Sequence, residues 1–394
     1  MERKTWFVMT FFWALMFGSS IIYTVPEPSW SQSEIAKNVD QRFMDLEMAG
    51  PEINLIYRNS TNSGVILRTM DGESSIFDSL KNFLQRKKWK SPQIIDETPG
   101  SGSYLSATEI NGELMVAYQD ASIGQESVVL ASKDKSNWSK QIIDDVNDGG
   151  VNVGMYTSLT SYQGKPVTIY HSPTQGLKSA MKLDGQWDRE VVAEKMGWFT
   201  DSASCGQKVF AAYRGRNSNQ LRISTFDGSW STELINTSVK SSLNIDQKDC
   251  RLHLLYLTEE DEIVYRSPEG DENILADSAY SRVSIDTSQG IRTSYYDYGE
   301  GMFYAEKNGE GWERKQLTNS SNTAQYNDIA VDGVGNVHVI FAQDSDIIHA
   351  ENNLGRISNI EKFLNYTRIF LVIVLLVLVA NLFRKTRIRK DGVE

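Results

Sequence analysis

The sequence predicts an all-β chain made of seven four-stranded units closed into a ring, and three observations predict it. An apolar alternation ending in an aromatic residue recurs seven times: INLIY ending at Tyr57, LMVAY at Tyr118, PVTIY at Tyr170, VFAAY at Tyr213, LHLLY at Tyr256, IRTSY at Tyr295 and VHVIF at Phe341. The copies lie 39 to 61 residues apart, the span of one propeller blade and too long for a single hairpin. A strand-and-turn precedes the alternation in most copies, as in EINGE (109–113), YQGK (162–165), CGQK (205–208), TSQG (287–290) and DGVGN (332–336), whose residues supply the positive φ of tight hairpins. A third strand follows, then in most copies a Trp with an apolar pair four or five residues on: Trp89 with Ile94, Trp138 with Ile142, Trp187 with Val191, Trp230 with Leu234. Four antiparallel strands repeated seven times give a seven-bladed β-propeller.

Taken in order, residues 1–25 hold Arg3 and Lys4 and then an uncharged run from Thr5 to Val25. This is a secretory signal or a retained signal anchor, and both readings stay open. The propeller is expected over 30–355, with blades at about 43–96, 104–144, 156–193, 199–236, 241–276, 280–318 and 326–351. The last copy lacks a fourth strand, whereas Trp30–Lys37 has the Trp-to-Ile spacing of one and no blade of its own. Residues 30–37 are therefore expected to complete the blade of 326–351, which closes the ring, removes two open sheet edges and brings both chain ends to one face. The first copy carries an insertion at 73–88 with a helical stripe of Ile76, Phe77, Leu80, Phe83 and Leu84. Its cations Lys81, Arg86, Lys87 and Lys88 suit either a helix laid over its own blade or contact with a membrane or membrane partner on that face. The apolar run 363–383, followed by Arg384, Lys385, Arg387, Arg389 and Lys390, is expected to be a transmembrane helix with the basic tail 384–394 in the cytoplasm. The bulk of the chain is then expected at the cell membrane on its extracytoplasmic side.

The formal charge of −11, with both chain ends basic, makes the body acidic enough to repel phosphate backbones, so nucleic acid is excluded as a partner. Cys205 and Cys250 lie at like places in adjacent copies, where a disulfide or two free thiols both fit. Asn59, Asn137, Asn236 and Asn319 lie in glycosylation sequons. The four histidines suggest no metal centre, and His253 and His338 share one strand position. The oxygen-rich loop from Asp144 to Gly150 is a weak place for Ca²⁺, lacking the spacing of a defined calcium loop. No cofactor is otherwise expected.

The repeated pattern of aromatic-x-Ser/Asp, turn, apolar-x-apolar-x-Tyr, apolar-x-Tyr-Ala and Asp-Gly-x-Trp resembles the BNR-type repeats of sialidase-like β-propellers over about 30–351. The resemblance implies the propeller architecture. It carries no catalytic residues, because the Asp-box Ser-x-Asp-x-Gly-x-x-Trp and an Arg-Ile-Pro motif are absent.

An aromatic residue stands before most first strands, at Phe43, Tyr104, Tyr156, Phe199, Tyr280 and Tyr326. Two residues on come Asp45, Ser106, Ser158, Asp201, Arg282 and Asp328. A repeated position usually serves blade packing. The functional reading is a polar, aromatic-ringed channel mouth that stacks on sugar faces and hydrogen-bonds hydroxyls. Residues after the second strands are not repeated, and Arg58, Asp120, His171, Arg214, Arg216, Tyr296 and Asp297 complete the candidate ligand site. The favoured function is binding of glycan or protein ligands on the membrane-distal face. Two alternatives stay open: a sialidase-like or other glycan-processing hydrolase using a pair such as Asp120 and Asp297, and a structural subunit of a membrane complex.

Overall fold

The computed structural model describes residues 28–390 apart from 62–63, 85–86, 123, 125, 135–136, 216–217, 278, 310 and 320–322; the expected leader 1–25 lies outside the described residues. Seven four-stranded antiparallel sheets form, each in sequential strand order except the last. Blades 1 to 6 are built by residues 39–96, 103–145, 155–194, 196–238, 241–276 and 279–318. Blade 7 is built by Thr323–Val331, Val337–Gln343 and Asp346–Asn352, with Trp30–Ala36 as its outer strand. Each innermost strand touches that of the next blade, and the seventh returns to the first.

Ring closure follows the expected pairing. Trp30 stands opposite Asn352 and Glu34 opposite Ile348. Ser29 N–H donates to Asn353 Oδ1 at 2.9 Å, so the chain enters and leaves the ring side by side. The second strands are buried on both faces, as in Lys165–Ser172, where only Lys165 retains partial exposure, which is why they read as nearly continuous apolar runs.

The core is a series of apolar clusters, one at each junction between blades. At six junctions a Trp in, or just before, the outer strand of the later blade packs against the cluster: Trp89, Trp138, Trp187, Trp230, Trp312 and Trp30. The junction of blades 4 and 5 has no Trp. There the third strand of blade 5, Ile263–Arg266, is cut to four residues, and a Cys205–Cys250 disulfide with Cα atoms 5.3 Å apart joins the two blades.

The insertion forms a helix, Ile76–Leu84, capped where Ser75 Oγ accepts the Asp78 N–H at 3.2 Å. It packs on the C-terminal helix Leu354–Lys390, where Asn359 Nδ2 donates to Ser79 Oγ at 3.2 Å. Two residues of the insertion stand apart from the rest of their stripe and charge cluster. Phe77 is 74% exposed rather than part of a buried stripe. Lys87 is drawn inward between Glu73, Asp332 and Glu351 instead of facing solvent.

Among the described residues no helix is long and apolar enough to cross a membrane. The expected span 363–383 falls in part on side chains outside the described residues. Within the C-terminal helix Ile369, Phe370, Val372, Ile373, Leu376, Val377 and Leu378 are exposed.

Candidate functional site

The face opposite the C-terminal helix carries the mouth of the central channel, a cavity of about 600 Å³. It is formed by a bulge that recurs in every innermost strand, where the register to the second strand slips. The bulge holds Tyr104, Tyr156, Phe199 and Ser242 at φ of +47°, +53°, +52° and +53°. Bulky side chains rarely adopt this left-handed backbone, and each instance costs of order 1 kcal/mol. The chain tolerates it because the bulge turns those side chains out of the sheet and over the channel.

Pairing registers place one residue per blade at this position: Phe43, Tyr104, Tyr156, Phe199, Ser242, Arg282 and Tyr326. Five aromatics therefore occupy blades 7, 1, 2, 3 and 4. Four are in ring contact: Phe43 to Tyr104 at 5.2 Å, Tyr104 to Tyr156 at 4.9 Å and Tyr156 to Phe199 at 5.1 Å between centroids. The arc breaks at blades 5 and 6, where Ser242 and Arg282 stand beside Lys240 and Asn244. Burial pushes the Tyr156 hydroxyl up to about 12 and the Tyr104 hydroxyl in the same direction, so both stay protonated donors at neutral pH.

Beneath the mouth runs a belt of hydrogen bonds from each blade to the next. Asp45 accepts Ala107 N–H at 2.5 Å, Ser106 accepts Leu159 N–H at 3.1 Å and Ser158 accepts Ser202 N–H at 3.0 Å. Asp201 accepts Ile245 N–H at 2.8 Å and Asn244 accepts Ile285 N–H at 2.7 Å. Ser284 donates to Asp328 at 2.5 Å, and Asp328 accepts Leu46 N–H at 2.8 Å, which closes the circle. Burial, and then the neighbouring Asp328, raise Asp45 well above the usual carboxylate range, and burial raises Asp201. These carboxyls hold blades together. The second of the repeated positions is thus structural, as its repetition suggested.

The remaining candidate residues divide. Tyr104, Tyr156, Arg282 and Tyr326 line the mouth. Arg58 and Arg214 stand behind it and hold its rings. Arg58 lies 5.6 Å from the Phe43 centroid and bonds Asp40 and Ser103, each at 3.2 Å. Arg214 lies 5.1 Å from the Phe199 centroid and donates to Lys240 O. His171 is buried behind Tyr156, its Nδ1 2.9 Å from Met196 O.

Asp120, Tyr296 and Asp297 do not join the mouth. Asp120 closes a local turn by accepting from Ser122 N–H and Oγ–H at 2.9 and 2.6 Å. Tyr296 is in the core between blades 6 and 7, and Asp297 is buried against Arg314 at 3.3 Å. Arg216 and the Tyr280 side chain lie outside the described residues. In blade 6 three residues, 280–282, stand opposite Tyr296, one more than the corresponding two in blade 2, so Arg282 takes the place read for Tyr280.

Among the other marked residues, Asn137 and Asn319 are exposed and Asn59 is half-buried, while the Asn236 side chain lies outside the described residues. Asp144 is no free loop oxygen, since Tyr170 and Lys178 donate to it at 2.7 and 2.6 Å.

Reading the sequence missed Arg42, Lys240, Ser242 and Asn244, all in the lining. No glycine motif marks these four, whereas the aromatics are marked by Gly102-Ser-Tyr104, Gly154-Met-Tyr156 and Gly197-Trp-Phe199. Each glycine has positive φ, and a Cβ there would come 2.9 Å from Val65, Val128 and Leu177 of the preceding blade. Glycine therefore sets the bulge that lifts the aromatic.

The architecture and mouth define a seven-bladed β-propeller with an axial pocket. Among solved structures it is similar to the SapL1 lectin in complex with α-methyl fucoside, 14% identical over 71% of this chain and 97% of that one, TM-score 0.50. It is likewise similar to BBS1N in complex with ARL6DN, 9% identical over 83% of this chain and 97% of that one, TM-score 0.52. At these identities the likeness is one of fold. No family model and no curated protein matches the chain, and the BNR-type likeness stays one of sequence pattern.

Proposed function

We propose that the protein is a glycan-binding propeller that takes a neutral, hydroxyl-rich sugar at the axial mouth. The observation that carries this is the broken arc: five aromatics on one side of the cavity, and Ser242, Lys240 and Arg282 on the other. Rings receive the apolar face of a sugar, while the gap offers donors and acceptors to its hydroxyls. The charges at the mouth have partners of their own, Arg42 with Asp40 and Lys240 with Asp261, which favours a neutral ligand over an anionic one. The SapL1 lectin, solved with a fucoside, is a precedent for a propeller that holds a sugar.

We place the mouth on the extracytoplasmic side of a membrane, with the chain attached through its C-terminal helix and the basic tail inside. Exposed apolar side chains over 369–378 and a disulfide support this placement. Fractionation tests it: the full chain should resist alkaline extraction from membranes, and a chain ending at residue 362 should not need it.

The binding test is a glycan array followed by titration calorimetry on the full chain. A stacking ring is worth about 0.5–1.5 kcal/mol, so Tyr104→Ala should weaken binding by roughly two- to tenfold with the fold intact. An array without signal, or unchanged affinity in Tyr104→Ala, sinks the reading.

A further inference from the structure

We propose that the junction of blades 4 and 5 is a redox gate, held shut by Cys205–Cys250 where every other junction is held by a Trp. Three independent features meet there. It lacks the Trp that packs at each of the other six junctions. Blade 5 is trimmed in its third and fourth strands, Ile263–Arg266 and Glu272–Ala276, so little outer sheet reaches across. The junction also carries the protein's two cysteines, which are joined.

The fill between these blades includes the small side chains Ala203 and Ala212, with Cys205 itself in the cluster. With the disulfide cut, what remains is this cluster, the belt bonds of Asp201 to Asn244 Nδ2 at 2.7 Å and to Ile245 N–H at 2.8 Å, and the bonds of Arg214 to Lys240 O and of Asn219 Nδ2 to Glu259 Oε1 at 2.6 Å. Cys250 is exposed on the turn before Arg251–Leu257, where a reductant can reach it. A dithiol reductant would pass two electrons and two protons to the bridge. The S–S bond breaks, Cys205 and Cys250 become thiols, and the reductant leaves as its own disulfide.

The same junction forms the edge of the mouth. Phe199 ends the aromatic arc on blade 4, and Lys240, Ser242 and Asn244 begin the polar gap on blade 5. The bridge joins the far ends of the strands that carry those walls, so an opening that starts there must pass the Asp201 bonds before it parts the walls and weakens ligand binding. That consequence rests on the glycan reading; the opening itself does not.

The experiment compares oxidised full chain, chain reduced with dithiothreitol, and Cys205→Ser/Cys250→Ser. Hydrogen exchange should quicken in residues 199–205 and 241–257 and stay unchanged in blades 1 to 3, and the melting temperature should fall by about 5–10 °C. Trp187→Phe, at a Trp-held junction, should lower stability with no change in its response to dithiothreitol. If the double variant fails to fold, the oxidised and reduced wild type decide the question alone. Exchange that is unchanged on reduction, or raised evenly around the ring, overturns the gate. Binding of α-methyl fucoside as the probe should weaken at least tenfold on reduction. Opening with unchanged binding overturns the ligand-release half, whereas no binding in the oxidised protein counts against the glycan reading and leaves the exchange result to judge the gate.

Discussion

Replacing Tyr156 separates what the mouth costs from what it provides. Tyr156 sits between Tyr104 and Phe199, 4.9 and 5.1 Å from their centroids, on a backbone with φ of +53°. Tyr156→Ala removes ring contacts to Tyr104, Phe199, Trp198 and His171, the nearer ones worth about 0.5–1.5 kcal/mol each, and keeps the left-handed strain. Tyr156→Gly loses the same contacts and relieves about 1 kcal/mol or more of strain, against roughly 0.4–1 kcal/mol for the extra freedom of glycine in the unfolded chain. In an ordinary strand glycine is less stable than alanine by about 0.5–1 kcal/mol. Here the order should invert or vanish, with Tyr156→Gly as stable as Tyr156→Ala or up to about 1 kcal/mol more so. Urea unfolding at matched slopes measures this difference. Both variants should lose glycan affinity alike, because both lack the ring. If Tyr156→Gly is the less stable by the ordinary margin, the backbone carries no stored strain and the mouth is plain packing.

Two further outcomes test the frame around the site. Burial pushes Glu47 up to about 8, so the folded chain holds a proton there that the unfolded chain releases near its ordinary value. Its contribution is full below the unfolded value and is lost as pH rises through about 8, so stability should decline across that window and Glu47→Gln should flatten the decline in melting curves. A decline that persists unchanged in Glu47→Gln assigns it elsewhere. At the ring closure, Trp30 lies 5.1 Å from the Tyr304 ring, and Trp30→Ala should cost about 3 kcal/mol and expose Asp346–Asn352 to exchange before other blades. Protection there equal to wild type would mean that Trp30–Ala36 does not hold the ring shut.

The architecture was legible because each blade repeats one physical solution. A second strand buried on both faces must read as an apolar run, and a Trp fills six of the seven outer junctions, so Tyr118 and Trp138 announce a blade without any contact being known. The orphan strand at Trp30 followed from the same regularity. The site was only half legible. Tyr104, Tyr156 and Tyr326 could be found because they repeat, but Ser242 stands in a copy that breaks the pattern and Arg282 in one whose bulge is longer by a residue. Asp120 and Asp297 attracted attention as loop carboxylates. Sequence does not reveal that Ser122 and Arg314 are their partners, since those contacts depend on turn geometry and on a strand seventeen residues away.

Where the copies differ is where the propeller does something besides stand up, and blade 5 differs most: no Trp, a trimmed edge, a cysteine in its turn and Ser242 in place of an aromatic. Restoring the aromatic should therefore damage function rather than structure. Ser242 already has the φ of +53° at which Tyr156 is held, so Ser242→Tyr needs no new backbone. It forfeits the bond in which Ser242 Oγ accepts Val283 N–H at 2.9 Å, a loss of about 1 kcal/mol that ring contact with Phe199 can offset. Stability should thus stay within about 1 kcal/mol of wild type. Affinity for the glycan should fall at least tenfold, because the new ring fills the polar gap and removes the groups that meet sugar hydroxyls. Calorimetric titration beside a urea melt reads both quantities on one preparation. Tight binding by a stable Ser242→Tyr protein would show that the gap is not where the ligand lies, and that the arc of rings alone, or another surface, holds it.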